Sequence, residues 1–576
     1  MKAICFWESS GFPNQRIVIL LGHALQQIPK TCSVILLLLM VPLVHAAEVE
    51  DFIPKDIILY LKLQDIDEVY GEIEISENWE KVLTLLPDVS GWQEMEQGLA
   101  MFQGMLGANL SDIVETVGYR TALAIWFDEA QDGLMQLGLV MHSGGNLDKL
   151  QQLTKIVEGL LGMDAANTLQ VDAGVYRRVR YNTLKINNDI FKYGFVDDFL
   201  VLGVGEGSFE KLLDVYRTDA PDMQENEEVN KALEGTESGQ VIVFAHIDYV
   251  FMMLSGLDVW VETQLPIFPL LFGHLNLLET APLLQLAIQF KPDAPPNNEI
   301  GMFLKDGAKL ETVNALSGEE DLFVAVAPGF LEGVWEVART EMDKDATGGT
   351  DAAISFFEGI LNLDLEEDIV AGLMGELALS VPDLRHFDLR VVRDIKVEVD
   401  GAFALDAGDV ETNGGIIFRP SNRMKWNLIG NSLSNLQNAS VSQTDYKGTT
   451  ISSFASNIYY GEIDGLFLLG FSEDQVSTLI DGIKEKKKPS YLKHLPETPT
   501  AFAQLNLARA LEMERGTPPA DKRLVDSKEI PLLLGWLSVE DGTSLLEVKL
   551  SEKETPIEVL AKLVPFLLWN MDVQWE

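Results

Sequence analysis

An α+β fold, made of two tandem copies of an antiparallel-sheet unit with helices packed on one face, is predicted by three features of the sequence. Short apolar runs of strand length follow one another across tight turns, the pattern of antiparallel pairing. The helical runs do not alternate strictly with them, as a parallel nucleotide-binding sheet would require. A set of short matches also recurs at nearly constant spacing along the 576 residues.

The matches keep their order. Asp56-Ile57-Ile58-Leu59-Tyr60-Leu61 returns as Asp321-Leu322-Phe323-Val324-Ala325-Val326, and Asp112-Ile113-Val114 as Asp368-Ile369-Val370. Tyr193-Gly194, Asp197-Asp198 and Leu202-Gly203 return as Tyr460-Gly461, Asp464-Gly465 and Leu469-Gly470, and Phe244-Ala245 returns as Phe502-Ala503. Offsets of 265, 256, 267 and 258 divide the chain into a first unit over 47–315 and a second over 316–576.

Each element of the unit has a local reason. Residues 57–63 form an apolar strand, and Trp79, Val82, Leu83 and Leu86 then repeat at helical spacing. Strands are expected at 121–127 and 135–142, and a helix from Asn146 as N-cap through Leu147, Leu150, Leu153 and Ile156. Further strands are read at 175–181, 190–196, 199–204 and 241–247. Asp197-Asp198, or Asp464-Gly465 in the second copy, makes the hairpin turn before the 199–204 strand. A strand pair and a short helix close each unit, at 286–290, 301–304 and 310–316, and again at 533–539, 545–550 and 557–563.

Composition limits the function. With 47% hydrophobic residues the chain has ample material for packed cores, which excludes a disordered polymer. Its 89 acidic against 43 basic residues, a net charge of −46, disfavour nucleic acid and anionic membrane as partners. The first 46 residues read as a signal peptide. Lys2, Arg16 and Lys30 precede an apolar run over 34–44, and Val44-His45-Ala46 offers a small-x-small cleavage point. That run is too short to span a bilayer, and no transmembrane span is expected in the mature chain. Cleavage near Ala46 removes Cys5 and Cys32, so the mature protein has no disulfide or thiolate, and shifts the net charge from −46 to −48. Such a protein is periplasmic or extracellular.

Candidate sites are few. Gly203-Val204-Gly205-Glu206-Gly207-Ser208 resembles a phosphate-binding loop, but the second copy reads Gly470-Phe471-Ser472-Glu473-Asp474-Gln475 and keeps one glycine. The shared serines point to helix capping, with Ser208 an N-cap and Ser472 and Gln475 a capping box. Asp343, Asp345, Thr347 and Asp351 occupy positions one, three, five and nine of a calcium-type loop with Gly348 at six. Ile354 stands where the bidentate glutamate belongs, which favours a polar linker; calcium is the one cofactor the sequence suggests. His142, His246, His274, His386 and His494 form no zinc-binding pattern and read as structural. No catalytic residue set emerges. Asn109-Leu110-Ser111 and Asn438-Ala439-Ser440 are glycosylation sequons. The strongly apolar 250–284 stretch, broken by Asp258, Glu262, Pro266, Pro269 and Glu279, reads as a pair of buried helices, or else as a surface for an apolar ligand or protein partner.

The Pro54-x-Asp56-x-x-x-Tyr60 start after a signal peptide, with the repeated Tyr-Gly…Leu-Gly hairpin leading into a helix, resembles the bacterial secreted proteins of the domain of unknown function 3352 family. The resemblance implies an extracytoplasmic location and a duplicated α+β build, and carries no catalytic residues with it. The expected role is a non-catalytic, exported binding or structural protein. The alternatives are an exported hydrolase using dispersed carboxylates or a calcium-dependent surface protein.

Overall fold

The computed structural model describes residues 48–86, most of 92–246, 270–289 apart from 280 and 281, 306–343, and most of 375–570. Residues 1–47, Asp345, Thr347, Asp351, Ile354, Asn438 and residues 250–269 lie outside the described residues. Asp343 is the last residue of its helix. The chain divides into two compact units. The first reaches Glu279 and includes Leu284–Lys291; the second takes Thr280–Leu283 and Pro292–Val573. The fold is α+β with antiparallel sheet throughout the described strands.

In chain order the first unit contains β1 (Ile57–Gln64), α1 (Ile66–Ile75), α2 (Glu77–Leu85), α3 (Trp92–Leu106), α4 (Leu110–Val117), β2 (Arg120–Asp128), β3 (Leu134–His142) and α5 (Leu147–Asp164). It continues with β4 (Gln170–Tyr176), β5 (Val179–Ile186), β6 (Asp189–Val196), β7 (Phe199–Val204), α6 (Ser208–Arg217), α7 (Glu227–Leu233), β8 (Val241–Ala245), β9 (Leu270–Leu275) and β10 (Leu284–Gln289). Pairing gives the order β4-β5-β6-β7-β3-β2-β1-β8-β9-β10.

The second unit contains β11 (Leu322–Val326), α8 (Pro328–Asp343), β12 (Glu376–Val381), a separate β13–β14 pair (Lys396–Val399, Phe403–Asp406), β15 (Gly415–Arg419), β16 (Gln443–Tyr446), β17 (Thr449–Phe454), β18 (Ile458–Ile463) and β19 (Leu466–Gly470). It ends with α9 (Glu473–Lys484), β20 (Ala501–Leu505), α10 (Leu507–Arg515), β21 (Leu533–Glu540), β22 (Thr543–Leu550) and α11 (Pro556–Asn570). Its order is β16-β17-β18-β19-β15-β12-β11-β20-β21-β22, the first unit's order with each strand replaced by its counterpart. The registers carry the spacing of the sequence matches. Tyr60 faces Phe244 as Ala325 faces Phe502, and Gly194 faces Val201 as Gly461 faces Leu468.

Helices do not all lie on one face. In β3 and β7 of the first unit alternate residues serve two cores. Val140, Phe199 and Val201 join Phe209, Leu212 and Leu213 of α6, while Leu139, Met141 and Leu200 join Leu150, Leu153 and Val157 of α5. Both faces of these strands are apolar, so both are covered. Two further readings change. The run at 175–181 is the tip of the β4–β5 hairpin and not one strand, because Arg177 and Arg178 take φ of 48° and 69° and reverse the chain. Within 250–284, residues Leu270–Leu275 are a strand between β8 and β10 and not part of a helix. The 3₁₀ turn Thr312–Ala315 packs into the second unit's core, with Val313, Ala315 and Leu316 against Ile480 and Phe323, so that core begins before residue 316.

One polar group reinforces the first unit's α5 face. The Tyr193 hydroxyl donates to Glu158 Oε2 at 2.7 Å and accepts from Asn182 Nδ2 at 2.6 Å. Burial and the Glu158 carboxylate push its pKa up to about 12. Tyr193→Phe strands both partners and is expected to cost about 1–2 kcal/mol in urea unfolding; an unchanged midpoint would show the pair to be idle.

Candidate functional site

The glycine-rich turn after β7 leads directly into α6. Gly205 and Gly207 take φ of +101° and +85°, and Gly203 lies so close to the start of α6 that a Cβ would sit 2.3 Å from the Phe209 amide nitrogen. Ser208 is the first helical residue and Gly207 the N-cap, so Ser208 does not cap; its hydroxyl donates to Gly205 O at 2.8 Å. Ser472 Oγ accepts from Gln475 N at 3.2 Å, and Gln475 Oε1 accepts from Phe471 N at 2.6 Å. Asn109 serves as the cap of α4, accepting from Asp112 N at 2.7 Å.

The histidines are dispersed. His142 is buried at the end of β3, its edge on Phe199 and its Nδ1 accepting from Gly144 N at 3.0 Å. His246 lies just past β8 and 4.0 Å from Glu228. His274 is buried on β9, and His386 and His494 sit in separate 3₁₀ turns. Among the described residues no group of three His, Cys, Asp or Glu side chains could hold a metal. Among the same residues no helix is long and apolar enough to cross a membrane.

A cleft of about 820 Å³ belongs to the second unit. It runs along one end of the sheet, where the chain enters β11 and β21 and leaves β12, β20 and β22. Its floor follows from the turn before β11. Gly318, at φ +92°, lets the chain fold back so that the buried Glu320 carboxylate accepts from Ser317 N, Ser317 Oγ and Gly318 N at 3.0, 2.9 and 2.8 Å. Asp321, also buried, accepts from Leu384 N at 3.1 Å and lies 3.9 Å from Arg509. Burial raises its pKa, and the Leu384 amide and Arg509 pull it back. Asn506 caps α10 through Arg509 N and ties it to Ser527 O. The Tyr491 hydroxyl donates to Gln504, whose Nε2 donates to Glu320 O at 2.6 Å. Burial, then the Glu320 charge, pushes the Tyr491 hydroxyl far above its ordinary pKa, so it stays a neutral donor.

Behind the cleft Arg509 pairs with Glu512 at 2.9 Å, and both are almost fully buried. Asp383 is held well below the usual carboxylate range by Arg385, with the two guanidinium contacts at 2.9 and 2.6 Å. Around the opening, Glu319, Ser490, Lys528 and Glu552 are exposed, and Pro382, Pro489 and Pro531 stiffen the walls. The cleft offers charged and hydroxyl contacts at its rim over carboxylates already engaged from within.

Sequence spacing does not reveal this cleft, because its wall comes from separate segments between Ser317 and Glu552. The available signal is local: Ser317-Gly318 just before Glu320, and Arg509 and Glu512 at i,i+3 spacing among the apolar residues of one helix. Compared with protein-family models, with curated proteins and with solved structures, the chain matches none of them.

Proposed function

We propose that the chain is an exported, non-catalytic binding or structural protein. In this reading a tandem duplication made its two α+β units, the leader is removed near Ala46, and the second unit's cleft seats the ligand. One observation carries the non-catalytic reading. Glu320 is engaged by two amides and a hydroxyl, and Asp321 by an amide and the nearby Arg509, so both carboxylates are committed to the fold and not poised over the cleft. Duplication is supported by the matching strand order and registers of the two units. The cleft's volume of about 820 Å³ suits a small polar molecule or a short peptide.

The rival is an exported hydrolase working through dispersed carboxylates, favoured by the raised pKa of Asp321 at the cleft. Thermal unfolding of the mature chain, residues 47–576, against panels of short oligosaccharides and short peptides separates the two. A ligand at a hundred times its Kd adds about 2.7 kcal/mol, which raises Tm by about 5–10 °C. Ser490→Trp, which fills the opening from an exposed position, is expected to abolish that shift and leave the unliganded Tm in place. A shift that survives Ser490→Trp, or none across the panels, removes the cleft as the ligand seat. Turnover of glycosidase, esterase or peptidase substrates that is lost in Asp321→Asn establishes the rival.

A further inference from the structure

The β4–β5 turn of the first unit is built against its own backbone preference. Arg177 and Arg178 both occupy the left-handed region, at φ 48° and 69°, which disfavours any residue with a Cβ. The matching β16–β17 turn of the second unit solves the same reversal with Lys447 and Gly448, at φ 53° and 77°. Glycine at the second position is therefore sufficient for the hairpin, and Arg178 is there for its side chain. The flanking positions differ in the same direction. Val175 and Arg180, paired across the first hairpin, correspond to Asp445 and Thr450, paired across the second. Val175 is 67% exposed.

Arg177 is engaged, its Nε 2.6 Å from Asp214 Oδ1. Arg178 and Arg180 are exposed and have no ion-pair partner among the described residues. In a chain of net charge −46, three arginines within four residues at an exposed turn form a local reversal of sign beside an exposed apolar side chain. Screening over about 8 Å at physiological salt lets such a patch act apart from the acidic remainder, so the average charge does not decide its partner.

We propose that this hairpin tip docks the protein on a bilayer of anionic phospholipid, with Arg178 and Arg180 on the phosphates and Val175 at the acyl boundary. A guanidinium matches phosphate oxygens two at a time. Two exposed guanidiniums beside an exposed valine suit an extended lattice of phosphates above an apolar layer. The inference does not depend on the cleft or its ligand.

The test is flotation of the mature chain with vesicles of phosphatidylglycerol and phosphatidylcholine in a 3:7 ratio, and with phosphatidylcholine alone, at 50 and 150 mM NaCl. Binding to the anionic vesicles is expected, weaker at the higher salt, with none to the neutral ones. The double variant R178G/R180T installs the second unit's residues on the first hairpin. Each lost arginine weakens association about five-fold, so the variant is expected to bind about twenty-fold less while its Tm stays level or rises. V175D, again the second unit's residue, should weaken binding both by removing the apolar contact and by adding a repulsion that eases at the higher salt. Absence of binding to anionic vesicles at 50 mM NaCl overturns the proposal, as does equal binding by wild type and R178G/R180T. So does a double variant whose only loss is of binding to DNA or to an acidic polypeptide, which would assign the tip to that partner.

Discussion

Arg509→Ala is expected to destabilise the second unit by about 3–5 kcal/mol, read as a lower urea midpoint. Arg509 is 4% exposed and stands between Glu512 and Asp321, themselves 2% and 4% exposed. Its Nη1 lies 2.9 Å from Glu512 and its Nε 3.9 Å from Asp321. Without the guanidinium, two carboxylates remain in a site from which water is largely excluded, and no other cation is as well placed to neutralise them. Arg509 Nε and Glu512 Oε1 have no hydrogen-bond partner among the described residues, so the cluster is imperfectly satisfied even when intact. The double variant Arg509→Met with Glu512→Leu, which removes the pair together, is accordingly expected to recover most of the loss.

The loss also depends on pH. Burial has already raised the pKa of Asp321 above its unfolded value. A carboxyl shifted that way stabilises the fold below the unfolded value and ceases to do so as pH rises through the folded one. Arg509 is one of the groups holding that shift down, so its removal carries the folded pKa higher. The deficit of Arg509→Ala should shrink on acidification from neutral pH toward the upper carboxylate range. A deficit below about 1 kcal/mol at pH 7, or one that grows with acid, would show that the pairing contributes little.

Gly203→Ala is expected to cost about 2–3 kcal/mol through overpacking. The added Cβ would meet backbone, 2.3 Å from Phe209 N and 2.8 Å from Phe209 Cα, so the start of α6 must move away from β7. That movement would loosen Phe209, Leu212 and Leu213, which are fully buried in the first unit's core. Gly470→Ala is the contrast. There the nearest atoms are Gln475 Cβ at 3.0 Å and Gln475 Oε1 and Val476 Cγ2 at 3.2 Å, contacts that a shift of a few tenths of an ångström relieves, and the expected cost is about 1 kcal/mol or less. Equal effects at the two sites would mean that the close approach at Gly203 is relieved more easily than its geometry implies.

The same pair of glycines shows how far the sequence reaches. Of Gly203, Gly205 and Gly207 only the first has a counterpart in the second unit, Gly470, and the close helix contact at Gly203 gives that glycine a packing reason. The strands were legible where apolar residues were bounded by turn residues, as at Asp464-Gly465. The reversal at Arg177-Arg178 was not, because arginine carries no turn signal and its left-handed backbone is a tertiary outcome. The strand at Leu270–Leu275 read as helix because a short apolar run has no period of its own.

The sequence by itself determined the α+β class, the order of most strands and the recurrence of one pattern at offsets near 260, since these depend on local periodicity and on spacing along the chain. Tertiary structure alone decided that helices cover both faces of β3 and β7, that Glu320 and Asp321 meet Arg509 and Tyr491 at one cleft, and that Arg178 and Arg180 stand exposed at a tip. The physical reason is sequence distance. Arg509 lies far along the chain from Asp321, and only the antiparallel alignment of β11 with β20 brings the two ends together, with Asn506 N on Asp321 O at 2.7 Å.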